Sequence, residues 1–493
     1  MKQRILIASQ ILIAAVAFLI IFFLWTGSET GESEFVPADE KIVIYRYNWG
    51  EVASVEADII WSEIRKQLPE NLNIDLHVES IPGTEYGQRL AVDLSIGEQI
   101  DAFLIGENDL GYWYSQGGII EPVNYLLDSF GPHVIEAVPP EAWNQVSIGD
   151  TILGIPSIGD PGGNCIVVRK DILDRYGIPL PTTLAELEEA SRRLLEYDSS
   201  IIPITGAWWD FSYLLCPALG IPRWDENIID HEREMIYSGN KTVEFRHYFR
   251  ILQEWRRKGF LDPNFISADF NATKKLFLSG QNVFTFNHVE RTHDWGAELA
   301  DIVPEAELAV IPELDGAGVW SGSGIVPSVL LITQYSTQKE NLVKYLDWML
   351  SSAGNYRLAA FGLPDRHYTP DGADAFIQHE EILYANLFAP IHHRELGLTC
   401  SNRFPAWYPA IERVNSVEYH SDPLKGVLFL DTSTAKRFPA TSLFDQEAGK
   451  FLDGRLEATR ENYQKLVDIY FMNGGTEISR EYYTQYREVT EGR

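Results

Sequence analysis

The stretch Lys41-Ile42-Val43-Ile44-Tyr45-Arg46-Tyr47, running into Asn48-Trp49-Gly50-Glu51, decides how the rest of the chain is read. Its run of β-branched and aromatic residues predicts a strand, with a loop at the carboxyl end. Downstream, Ile59, Ile60, Ile64 and Leu68 recur at near-helical spacing within Val55 to Leu68 and stop before Pro69, which predicts a helix. Asn73 to Glu79 then alternates, with Ile74, Leu76 and Val78 on one side and Asp75, His77 and Glu79 on the other. That is a second strand, and His77 is its solvent-facing residue. A helix over Tyr86 to Ile96 and a third strand over Ile100 to Gly106 complete a β-α-β-α-β order. The order predicts a parallel, doubly wound sheet whose ligands lie outside the carboxyl ends of its strands.

Working outward, the α/β mixture continues. Thr183 to Tyr197 is a predicted helix opened by a capping box, Thr183 with Glu186, and further helices are predicted over Phe245 to Lys258 and Lys339 to Leu350. On the amino-terminal side, residues 26–40 are acidic and nearly free of apolar side chains, a flexible tether that cannot build a core. Before them Ile5 to Trp25 is almost wholly apolar, with Lys2 and Arg4 in front. As a helix of about 31 Å it covers the hydrocarbon layer. No small-residue cleavage signal follows, so residues 1–25 are expected to be an uncleaved signal anchor. This places the rest of the chain outside the cell, attached by a single pass.

The whole chain has 493 residues, 45% of them hydrophobic, enough for two or three domains. Its 40 basic and 71 acidic residues give a net charge of −31, which makes nucleic acid and anionic lipid poor partners. Cys165, Cys216 and Cys400 are widely spaced, with no metal-ligand pattern, and are expected to be buried thiols; spacing alone leaves one bridge open.

Several runs, in order, resemble a known family. Ser95-Ile96-Gly97-Glu98-Gln99-Ile100-Asp101-Ala102 is similar to its "small-Gly-acidic-x-x-Asp-hydrophobic" run, and Ile148-Gly149-Asp150-Thr151-Ile152-Leu153-Gly154-Ile155-Pro156 to its first crossover. Val167 to Ile178 with Leu180-Pro181-Thr182-Thr183 is the most specific match, and Leu276 to Phe284, Ala309 to Gly316, Lys339 to Leu350 and Phe361-Gly362 follow in sequence. These motifs resemble the extracellular solute-binding proteins of ABC importers, in the carbohydrate-binding, maltose-binding-like and Gram-positive lipoprotein-type branch. One departure is the missing lipid-modified cysteine after the leader, which leaves anchoring to the apolar helix.

The resemblance implies a two-lobed, periplasmic-binding-protein-like (type II) α/β fold with a hinge. Crossovers are expected near Pro156 and Pro312 and in or after the 339–350 helix. Residues 41–155 with about 312–350 would form one lobe, and 156–311 with about 351–493 the other. It also implies a monomer without cofactor that closes on a small ligand, an oligosaccharide or sugar derivative, and delivers it to the permease subunits of an ABC transporter.

A sugar presents C–H faces that pack on aromatic rings and hydroxyls that need paired donors and acceptors. The candidates are therefore aromatic and polar residues on loops, drawn from the 13 Trp and 23 Tyr and their polar neighbours. Trp49 and Glu51 follow the first strand. Glu107, Asn108 and Asp109 follow the third, where one could equally cap the helix starting near Leu110. Asp160 sits in a Gly-rich turn that turn chemistry alone would explain. Trp208-Trp209-Asp210 is the sharpest cluster, because adjacent tryptophans cannot share one face. His288 and Arg291, then Trp320 and Ser321 beside small residues, and finally Arg403, Trp407 and Tyr408 complete the set, each with core packing or a structural role as the ordinary alternative.

Catalysis is not expected. His231-Glu232 and His379-Glu380 lack the second histidine of H-E-x-x-H, and neither a phosphate-binding G-x-x-x-x-G-K-[ST] loop nor a G-x-S-x-G elbow occurs. A ligand-binding sensory or scaffold protein docking to a membrane receptor would use the same hinge and is the first alternative; a carbohydrate-active enzyme, working through two carboxylates drawn from the 71 acidic residues, is the second.

Overall fold

The computed structural model describes residues 41–48, 56–106, 109–159, 162–320, 325–379, 388–420, 422, 424 and 438–491. The expected anchor (1–25) and tether (26–40) lie outside the described residues. Among the described residues no helix is long and apolar enough to cross a membrane.

Two sheets organise the chain. In chain order the strands are β1 (Lys41–Asn48), β2 (Asp75–Pro82), β3 (Ala102–Gly106), β4 (Ile155–Pro156), β5 (Asn164–Arg169), β6 (Ile202–Thr205), β7 (Asn282–His288), β8 (Leu308–Ile311) and β9 (Ser328–Ile332). The first sheet has the order β2-β1-β3-β9-β4. β1 runs parallel to both neighbours, with Tyr45 opposite Glu79 on one side and Phe103 on the other, whereas β9 is antiparallel to β3 and β4. The first sheet is doubly wound. Ile42, Ile44, Leu104 and Leu330 bury on one face against the helices Ala57–Gln67 and Lys339–Leu350, and Val43, Tyr45, Phe103 and Val329 bury on the other beside Tyr86 and Leu90. A central strand apolar on both faces needs a layer on each side, which is why β1 reads as a nearly continuous apolar run.

The second sheet has the order β8-β5-β7-β6. Ile166, Val168, Ile204, Phe284 and Phe286 pack into its larger core, while Cys165, Val167 and Val310 face a smaller one. The helix Leu184–Tyr197 starts with the expected reciprocal capping box, Thr183 Oγ1 accepting from Glu186 N at 3.1 Å. All three cysteines are buried and unbridged. Burial pushes the Cys165 and Cys216 thiols up, which keeps them protonated and unreactive.

The chain passes between the sheets in segments that lie together. Ser157 N donates to Ser328 O at 2.8 Å, Gly159 N to Ile325 O at 2.9 Å and Ile158 N to His392 O at 2.7 Å, and Arg394 N returns to Ile158 O at 3.0 Å. Three stretches of backbone, around 157–159, 325–328 and 392–394, are thus bonded side by side where a hinge would run.

Packing corrects two expected boundaries. Leu314 and Val319 bury in the second sheet's core and Val326 in the first's, so the chain is still with the second sheet past the crossing expected near Pro312. Residues 351–493 do not all join the second half: Tyr356, Leu358, Ala359 and Ile391 bury with Ile42 and Ile44, whereas Phe444, Phe451 and Tyr463 bury with Ile166 and Phe284. Only Ser351 and Ser352 separate the helix Ala353–Phe361 from Lys339–Leu350, too short a link to reach another lobe.

Candidate ligand-binding site

Of the sixteen sequence candidates, Trp49, Glu51, Glu107, Asn108, Asp160 and Ser321 lie outside the described residues. Their flanking strands are informative. β1 and β3 are parallel neighbours, so Tyr47 near the end of one and Asp109 just past the other come from the same edge of the first sheet. Asp109 precedes the helix Leu110–Ser115 but makes no side-chain cap, so helix capping does not account for it. Burial raises its pKa above the usual carboxylate range. Tyr47, which sequence reasoning passed over as a strand residue, packs edge-on against Tyr86 at 5.6 Å, and burial raises its phenol pKa against an opposing hydrogen bond to Ser328.

Across the crossing, β5 begins beside two glycines with no room for a side chain. A Cβ on Gly162 would lie 1.9 Å from the Tyr419 ring, and one on Gly163 would lie 1.9 Å from His288 Nε2. Gly162 and Gly163 therefore pass between Tyr419 and His288, and Gly163 has φ +143°. Gly163→Ala is expected to cost about 2 kcal/mol in urea unfolding, from backbone strain and a displaced imidazole. An unchanged midpoint would mean that His288 swings aside freely.

His288 leads into the turn Val289–Thr292, and the arginine candidates divide there. Arg291 pairs with Asp294 and lies 5.0 Å over the Phe270 ring and 5.5 Å over Trp295, a placement that holds the surrounding helices. Arg403 pairs with Glu290 and stacks 4.3 Å over Trp407, whose Nε1 donates to Glu290 Oε1 at 3.1 Å. Glu290 thus gathers two of the candidates, although its own carboxylate went unremarked in the sequence. Tyr408 is exposed, and its hydroxyl donates to the Ser401 carbonyl.

The tryptophan pair divides as its spacing requires. Trp208 packs against the larger core, its carbonyl accepting from the Tyr248 hydroxyl, while Trp209 stands 42% exposed with its ring at 81° to its neighbour. Trp224 lies 5.8 Å from Trp208. Beside it Arg223 is buried, its Nε donating to Ser212 Oγ at 3.0 Å and its NH1 to both Asp225 oxygens at 2.7 Å, and it stacks 4.1 Å over Tyr213. Burial raises the Asp225 and Glu226 pKa values, and nearby Asp422 pushes both the same way. Only the charged, aromatic run Arg223-Trp224-Asp225-Glu226 behind Gly220 and Pro222 could have signalled this half of the cluster. Trp320 lies in a two-residue strand opposite His420 and is buried, its ring covered in this conformation.

Asp210 accepts from Ala207 N at 3.1 Å, and burial pushes its pKa up to about 7 against weaker opposing pulls from that bond and from Arg223. An unfolded aspartate titrates near ~3.9. Because the folded protein holds this proton to higher pH, the group's stabilisation is complete below about pH 4 and is lost as pH rises towards about 7. Asp210→Asn should therefore shrink the loss of stability between about pH 5 and about pH 8, read by denaturant unfolding. An identical loss in the variant would contradict this.

Two α/β lobes with adjoining backbone crossings and aromatic, carboxylate and arginine groups on the neighbouring loops define the two-lobed solute-binding class. The chain belongs to the bacterial extracellular solute-binding protein family, whose model matches residues 54–356. It shares its fold with the N-glycan transport solute binding protein NgtS of Streptococcus pneumoniae, at a TM-score of 0.68 and 13% identity, over 92% of this chain and 99% of that one. An HMO binding, ABC-transporter associated solute binding protein from Bifidobacterium longum infantis matches at a TM-score of 0.64 and 16% identity, over 91% and 99% of the two chains. The S. pneumoniae substrate binding protein FusA, solved with kestose, matches at 0.63 and 14% identity over the same shares.

Proposed function

We propose that this protein binds an oligosaccharide or sugar derivative between its lobes and passes it to the permease of an ABC importer, without catalysing a reaction. The constellation Trp208, Trp209, Trp224, Arg223 and Asp225 carries the proposal: the exposed indole of Trp209 meets Trp208, which meets Trp224, which in turn lies 5.5 Å from the fixed Arg223–Asp225 pair, so aromatic faces and a guanidinium–carboxylate pair of the kind that C–H faces and hydroxyls require are joined in one cluster. Similar folds solved with Man1GlcNAc and with kestose support the ligand class. Closure would draw its energy from contacts that the ligand makes with both lobes only when they meet. The first lobe comprises about 41–157 and 325–391, the second about 158–324 and 392–493, and residues 1–25 anchor a monomer to the cell membrane with the lobes outside. Titration calorimetry against a saccharide panel, with peptides and polyamines alongside, tests the ligand class. Heat from a peptide or polyamine and from no saccharide refutes it, and release of reducing ends from a bound glycan refutes the non-catalytic role.

A further inference from the structure

Away from the cleft loops, the helix Arg246–Lys258 and the turn before the helix Arg460–Tyr470 enclose a surface cavity of about 680 Å3 lined by Arg246, Arg250, Arg256, Arg257 and Arg460. A chain with a net charge of −31 has few cations to spare, and five of its 40 basic residues converge here. They are not there for the core. Tyr248, Phe249, Leu252 and Trp255 fill the buried face of the same helix, and the arginines occupy the other. Arg246 NH1 donates to Val243 O at 2.9 Å and Arg256 NH1 to Asp453 O at 2.8 Å, which steadies two of the five. The guanidinium groups of Arg250, Arg257 and Arg460 have no hydrogen-bond or ion-pair partner among the described residues.

Three carboxylates share the cavity wall. Asp453 is taken by Arg455, whose Nε donates to it at 2.6 Å, which leaves Glu254 and Glu457 against five guanidinium groups. Five guanidinium groups against three carboxylates leave the cavity wall net positive. Thr459 caps the second helix by accepting from Asn462 N at 3.1 Å, so the positive end of an 11-residue helix dipole also borders the cavity.

We propose that this cavity is an anion site for a phosphate group, separate from the solute cleft. Several planar forks around a concave space match the tetrahedral oxygens of phosphate better than a single carboxylate, and the volume admits a phosphate ester. The group could belong to a free phosphate or to the phosphodiester of an anionic lipid headgroup, and the chemistry at the cavity is the same. In the second case the site would turn this face of an otherwise acidic protein towards the membrane surface.

The test is calorimetry on the full chain in detergent with inorganic phosphate, glycerophosphoglycerol and glycerophosphocholine. Saturable binding of phosphate or glycerophosphoglycerol is expected. It should weaken by about 10-fold or more in R250Q/R257Q/R460Q and recover in part in R250K/R257K/R460K. These side chains are exposed, so the melting temperature should hold in both variants. Preference for inorganic phosphate identifies a free anion, and preference for glycerophosphoglycerol identifies the headgroup. Absence of binding by both, equal affinity for glycerophosphocholine, or equal affinity in the glutamine variant overturns the proposal.

Discussion

Arg223→Ala is expected to lower the free energy of unfolding by about 3 kcal/mol and to remove most solute binding with it. The guanidinium is buried and serves three neighbours at once: it donates to Ser212 Oγ, holds both Asp225 oxygens, and lies 4.1 Å over the Tyr213 ring. Removing it takes away the counter-charge that opposes burial and the push from Asp422 on Asp225. Breaking a buried pair by deleting one partner typically costs about 3–5 kcal/mol, and the lower end applies because Asp225 keeps a third of its side chain in water. Arg223→Lys should recover part of the stability and little of the binding, because an ammonium cannot donate in the same fork. Equilibrium urea unfolding read by tryptophan fluorescence measures the first effect, calorimetry the second. A loss below about 1 kcal/mol would mean that Asp225 escapes to solvent when its partner goes.

The two tryptophans should separate binding from stability. Trp209→Ala is expected to weaken binding of the active saccharide by about 2 kcal/mol, roughly thirty-fold, while stability moves by less than about 1 kcal/mol, because its exposed ring lies outside the core and meets Trp208 edge-on. Trp208→Ala should cost both, because that ring packs on the core and meets Trp224. Wild-type affinity in the Trp209 variant would take that residue out of the site, whichever saccharide is used.

Local signals were strong where chemistry was local. The apolar run at Lys41, the alternation ending at Glu79 and the Thr183–Glu186 capping box read directly, because pattern period and cap chemistry are properties of neighbouring residues. The limits of the lobes did not read as well. Leu314 and Val319 remain with the second core, and Tyr356 with the first, according to which buried surface they complete, and a one-dimensional pattern does not state that.

The site shows the same division. Loop tryptophans and carboxylates could be picked out by type, and the adjacency of Trp208 and Trp209 already required that their rings diverge. Their partners could not: Arg223 as the clamp on Asp225, Glu290 as the acceptor shared by Arg403 and Trp407, and the glycines that admit His288 and Tyr419 all depend on segments brought together from distant parts of the chain. From sequence alone came the α/β class, the elements around β1 and the kind of side chain a solute site would use, since hydrophobic period and residue chemistry are written locally. Tertiary structure alone decided the lobe limits, the burial of Trp320 and Arg223, and the gathering of five arginines into one cavity, because each follows from long-range packing that no short window of residues contains.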